Sequence, residues 1–289
     1  MKRNSQIAFY CLYALIAALF FLYVRFPSDT VQELVSVRVA QIDPLLAINS
    51  RTVRPTLTGG LNFQSLTVSY ADMALCTLEN LKLSPELFAL LRGHQNFDFR
   101  APMGDGTLKG RVEMALDAQK SQTRVSINMS GVPMESLEIL KRYPAYQPSG
   151  TLNAHVEFDS RKGADGTAKL NLEIMPARLA FAPPLMGLEQ LDFTRVQAEM
   201  NLSSRMLQIR RWEATGPQID SRASGSIVLR QPLGASRVTL ACTVKPQAGF
   251  LAEHKNDVLG GLLASANAQN RGMVFRISGT LDHPSYVMR

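Results

Sequence analysis

The sequence predicts a mainly β protein: a single N-terminal transmembrane helix followed by a long, curved antiparallel sheet with a few short helices. Three observations lead there. The stretch Ile7 to Val24 is 18 residues without a charge. After Pro44 apolar and polar residues alternate with period two through most of the chain. Stretches with a helical face are few and short. The chain has 289 residues, of which 46% are hydrophobic and 19% charged, with a net charge of +7. That apolar fraction excludes a disordered chain, and three cysteines exclude a disulfide scaffold.

Four segments follow: 1–6 cytoplasmic, 7–24 a signal anchor, 25–43 a membrane-proximal amphipathic helix, and 44–289 a β-rich exported domain. As a helix the run Ile7 to Val24 spans roughly 27 Å, close to the ~30 Å hydrocarbon thickness. Tyr10, Tyr13 and Tyr23 supply amphipathic rings. Lys2 and Arg3 precede the run, whereas Arg25 is soon offset by Asp29, so the N-terminus is expected in the cytoplasm and the remainder outside. A cleaved signal peptide is the competing reading. The run is longer than the usual apolar core of such a peptide, and Phe20 to Phe26 lacks a small-x-small cleavage pattern, which favours an uncleaved anchor.

Thr30 and Glu33 have the spacing of a capping box, and Val31, Leu34, Val35 and Val37 supply apolar positions for the helix behind it. The clearest strand runs from Thr107 to Asp117, where Leu108, Gly110, Val112, Met114 and Leu116 alternate with Lys109, Arg111, Glu113 and Ala115. Val125, Ile127 and Met129 continue the pattern, as do Leu152 to Phe158 and Ala168 to Ile174. Further runs start at Val196, Leu207, Ile219, Val238 and Phe275. Small polar turns separate them, which describes a meander. Helices are expected at Ser84 to Gly93, Met134 to Arg142 and Asp257 to Gln269. A phrase recurs as Gly106-Thr107-Leu108, Gly150-Thr151-Leu152, Gly225-Ser226-Ile227 and Gly279-Thr280-Leu281. Its spacings of 44, 75 and 54 residues exclude a strict repeat, and glycine there marks a bend or bulge.

The search for chemistry returns little. His94, His155, His254 and His283 are scattered without metal-ligand spacing, and His155 sits on the polar parity of its strand. No nucleophile elbow or phosphate loop occurs. Asp282-His283-Pro284-Ser285 places acid, base and hydroxyl close in sequence, but strand neighbours point to opposite faces. Asn128-Met129-Ser130 and Asn201-Leu202-Ser203 match the glycosylation sequon inside expected strands. Cys242 falls on an apolar parity; a Cys76–Cys242 disulfide is compatible with an oxidising compartment. Arg210-Arg211-Trp212 is the densest basic cluster, read as a solvated strand edge with Trp212 on the core. Nucleic-acid binding would need a denser patch. No catalytic, cofactor-binding or metal-binding residue is expected, nor a small-molecule substrate.

Arg25-Phe26-Pro27-Ser28-Asp29-Thr30 behind an N-terminal anchor, together with Gly59-Gly60-Leu61-Asn62-Phe63-Gln64-Ser65-Leu66-Thr67-Val68, resembles the type II secretion system protein N family. The closing Ile277-Ser278-Gly279-Thr280-Leu281-Asp282-His283-Pro284-Ser285-Tyr286 is similar to the ends of AsmA-like periplasmic proteins. The resemblance covers nearly the whole chain in layout, through short motifs. It implies a non-enzymatic accessory subunit of the bacterial machine that exports folded proteins. Such a subunit is anchored in the bacterial inner membrane with its bulk in the periplasm, and its partners are other secretion subunits and inner-membrane lipids. The AsmA-like alternative is a lipid-binding or lipid-transfer module. Its apolar sheet groove would be lined by Val112, Met114, Val156, Phe158, Leu170 and Leu172.

Overall fold

The computed structural model describes residues 26–42, 44–56, 59–71, 73–86, 89, 94–115, 122–161, 166–185, 187–254 and 272–288, with Tyr10 and Tyr13. The anchor 7–24 and the helix expected at Asp257 to Gln269 therefore lie outside the described residues, Tyr10 and Tyr13 apart. Among the described residues no helix is long and apolar enough to cross a membrane.

Among the described residues a helix, Ser28–Ile42, leads into a sheet of sixteen strands. In chain order they are β1 (Leu46–Ser50), β2 (Val53–Pro55), β3 (Leu61–Tyr70), β4 (Met73–Pro85), β5 (His94–Met103), β6 (Gly106–Ala115), β7 (Gln122–Pro133) and β8 (Tyr146–Asp159). There follow β9 (Thr167–Leu185), β10 (Leu188–Phe193), β11 (Arg195–Ser203), β12 (Met206–Thr215), β13 (Ile219–Val228), β14 (Arg237–Pro246), β15 (Met273–Thr280) and β16 (Pro284–Met288). Apart from β2, which pairs with β3, and β10, which pairs with β9, the strands lie side by side in chain order. All pairings are antiparallel, as short polar turns between alternating strands dictate.

The sheet is bent. Six strand spacings separate β8 from β15, roughly 29 Å in a flat sheet at ~4.8 Å per strand. Yet Arg142, just before β8, lies 3.8 Å from Asp282 in the turn after β15. Register shifts supply the bends. One falls between Met129 and Val132 on β7, where Gly131 has φ +67°. Another falls between Gly150 and Leu152 on β8, and Gly150 has φ +134° with Pro176 O where a Cβ would sit. Only glycine fits there. Two of the recurring Gly-Thr/Ser phrases, at Gly150 and Gly225, take this left-hand backbone beside such shifts.

The core forms where the apolar face curls on itself. Phe63, Leu66, Leu78, Leu81, Ala101, Val132, Leu152, Ile174, Val196 and Ala214 share one buried cluster drawn from β3 to β12. Phe26, Val31 and Val35 pack against it from the N-terminal side.

Several expectations are corrected. The first helix starts at Ser28, and Val31 N–H donates to Pro27 O at 3.2 Å, so Thr30 lies within the helix and caps nothing. Phe26 is held on the core and Pro27 presets the backbone, which moves the start upstream. Val31 and Val35 face the core, but Leu34 and Val37 are exposed, so the apolar positions divide between two faces. Ser84 and Pro85 end strand β4, paired with Asp98 and Phe97, instead of opening a helix. The rest of that expected helix lies outside the described residues except Glu86 and Ala89. Met134 to Arg142 forms two 3-10 turns, Met134–Ser136 and Glu138–Arg142, because Leu137 between them is extended and bridges to Cys76 on β4. The Arg210-Arg211-Trp212 cluster is not at an edge, since β12 pairs with both β11 and β13. Trp212 does pack on the core.

Candidate functional site

Period-two alternation aligned by pairing register produces apolar rows that cross the strands. Val112 stands opposite Val125 and Val125 opposite Phe158, which in turn faces Ala168. The next row joins Ile127, Val156, Leu170 and Met200. The third joins Met129, Ala154, Leu172, Ala198 and Trp212, and continues through Ala223, Cys242 and Phe275 to Met288 on the last strand. A fourth holds Val132, Leu152, Ile174, Val196 and Ala214, all buried.

The six residues expected to line a groove share this face, and they divide along it. Leu172 packs against the buried cluster and belongs to the core. Val156 and Leu170 are a directly opposed pair, and Val112 and Phe158 are linked through Val125; all four are half-buried. Met114 lies one row further out, opposite Thr123, in a hollow of about 280 Å³ shared with Asn96, Glu113, Arg124 and Arg161. The helix Ser28–Ile42 packs against β1 and β2, and the 3-10 turns against β4 and β8. Apolar side chains far from those elements therefore keep part of their surface open.

The opposite face is polar and held by cross-strand pairs, which is how such a surface stays ordered. Arg111 grips Asp98 with two bonds, at 2.7 and 3.2 Å. Arg178 meets Asp192 at 2.7 Å, Glu173 takes Arg195 and Gln197, and Arg222 of β13 stands 3.4 Å from Glu213 of β12, which Arg211 on the same strand also reaches at 2.6 Å. The bond from Arg211 holds the Glu213 carboxyl below the usual range. A groove of about 660 Å³ on this face is lined by Asn153, His155, Asn171, Glu173, Gln197, Glu199, Arg195 and Arg211 side chains. His155 sits between Asn128, 2.6 Å away, and Glu157, 3.2 Å away. Sequence reasoning placed His155 on the polar parity but missed this groove, because its members come from four strands whose register was not readable.

Among the described residues Asp159 is the buried charge. Arg161 donates to it from its backbone N–H and guanidinium at 3.1, 2.9 and 2.9 Å, and Arg124 stands 3.6 Å away. Those bonds outweigh burial and hold its carboxyl far below the usual range. This clamp ties the end of β8 to β7 and is structural.

The remaining candidates are not assembled. Asp282 faces Arg142 and Ser285 Oγ donates to Ser278 O at 3.1 Å, so acid and hydroxyl are turned to different partners. Cys76 and Cys242 are free thiols, on β4 and β14. Burial, with Glu138 nearby, pushes the Cys76 thiol up to about 11. Among the described residues no group of three His, Cys, Asp or Glu side chains could hold a metal ion. No family model, curated protein or solved structure matches the chain.

Proposed function

We propose that this chain is a non-enzymatic accessory subunit of a type II protein secretion system, anchored in the bacterial inner membrane by residues 7–24 with its sheet in the periplasm. The observation that carries the reading is the join between the two parts. Phe26, Val31 and Val35 are packed on the sheet's core, so the chain leaving the apolar run is clamped to the β platform within two residues of Arg25. A platform held that close to its anchor acts by binding neighbours, and the ion-paired polar face is the surface it offers to other secretion subunits. Cross-linking in cells followed by mass spectrometry tests this: secretion subunits should be captured. Capture of none, where known neighbours capture one another, overturns it.

A second reading is favoured by the rows of half-buried apolar side chains, with Val112, Val156, Phe158 and Leu170 at their centre. An acyl chain laid across them would remove the apolar area that still meets water. Native mass spectrometry of the full chain released in mild detergent should then show bound phospholipid. Its absence at every detergent level counts against lipid handling.

A further inference from the structure

The two ends of the sheet are finished differently. At the β1 end the helix Ser28–Ile42 packs alongside and the strand is half-buried at alternate positions. At the other end every residue of β16 is exposed, including Tyr286 at 61%, Val287 at 56% and Met288 at 53%. An apolar edge strand left open is a template for another strand.

The direction of its backbone groups follows from the hairpin. Thr280 N–H donates to His283 O at 3.2 Å, closing the turn into β16. Hydrogen-bonded and non-bonded pairs alternate along an antiparallel ladder, so the pairs Ser278–Ser285 and Arg276–Val287 are bonded ones. Ser285 and Val287 therefore direct their backbone groups to β15. Tyr286 and Met288 direct theirs outward, where no further strand lies among the described residues.

We propose that β16 pairs antiparallel with β16 of a second copy of this chain, about a two-fold axis at Val287. In that register Tyr286 of each copy stands opposite Met288 of the other. Each such pair exchanges an N–H···O=C bond in both directions, so every outward group of the two residues is satisfied. Three further features fit this occupant. Val287, an apolar residue exposed on the otherwise polar face, is covered by its own symmetry mate. Tyr286 and Met288 sit on the apolar face, so the rows ending at Ile277–Tyr286 and Phe275–Met288 continue into the second sheet. The strand carries no charge, so no like charges stand opposite each other within the paired segment. A short strand pair buries less than the ~1,200 Å² of standard interfaces. The pairing is accordingly weak and grows with local concentration. It does not depend on the secretion reading.

Cysteines introduced one at a time at the edge of the full chain, with Cys11→Ala, Cys76→Ala and Cys242→Ala as background, read the register directly. Under mild oxidation in detergent, across a concentration series, Val287→Cys should give a disulfide dimer, because a central non-bonded pair brings the Cβ atoms closest. Tyr286→Cys and Met288→Cys should link to each other when mixed and hardly at all alone. Adding Tyr286→Pro to Val287→Cys removes an outward N–H in each copy and should cut the dimer by about tenfold or more. Circular dichroism should stay unchanged, since that N–H takes no part in the β15 ladder. No Val287→Cys dimer, equal self-linking at all three positions, or a dimer indifferent to Tyr286→Pro would each overturn the proposal. So would a cross-link made only to a different protein.

Discussion

Asp159 shows how one residue sets a condition on the fold. Its carboxylate takes three bonds from Arg161, and those bonds are stronger to the charged form than to the protonated one. The folded pKa lies below that of the unfolded chain. Its contribution is therefore complete above the unfolded value of about 4 and disappears as pH falls through the folded one. Asp159→Ala should lower stability at neutral pH by about 1–2 kcal/mol, the scale of lost charge-assisted bonds whose donor, the exposed Arg161, water can still reach. Denaturant titrations should show the gap to the native sequence closing as pH falls below about 4. A gap that is constant from pH 7 to pH 3 would mean the clamp does not work through charge.

At the scale of elements, the segment Met134–Arg142 works as a strap. It leaves β7, bends at Leu137 to bridge Cys76 on β4, and ends with Arg142 beside Asp282. Cys76 reports on it, because its thiol is buried and pushed up to about 11 by desolvation and then by Glu138 on the strap itself. Alkylation of Cys76 at pH 8 should be very slow in the native chain. Leu137→Ala removes the apolar contact over β4 and should speed it by about tenfold or more through local opening. An unchanged rate would show that the strap does not shield the thiol. The sequence suggested a helix here; the two short turns arise because one residue is drawn into strand geometry by a partner 61 positions earlier.

Across the whole molecule the decisive property is a gradient of burial along one apolar face. Ile174 stands inside the core, whereas Val156 and Leu170 stand two rows away and half-covered. Ile174→Ala should cost about 2–5 kcal/mol, and Val156→Ala should cost less than half of that, because truncation opens no cavity at an open surface. Chemical denaturation of the two variants measures both. Equal large losses would mean that the face is closed in solution and has no room for a lipid or a partner.

Much of this fold could be read from residues alone. Strands β6 to β9 and β11 to β15 follow from alternation, since every second side chain must face the same way and those positions are apolar. The shared face of Val112, Val156, Phe158 and Leu170 was legible for the same reason. Strands β3 and β4 were not, because Phe63 and Leu66, like Leu78 and Leu81, are buried at a spacing of three, where Asn80 takes φ +53° and breaks the period. What only the tertiary structure decided is which apolar residues are covered. Parity assigns a side chain to a face, but the curvature that closes the face over Ile174 and leaves it open at Leu170 depends on bulges, on the strap and on contacts between residues far apart in the chain. Those are long-range geometric facts that no local period encodes.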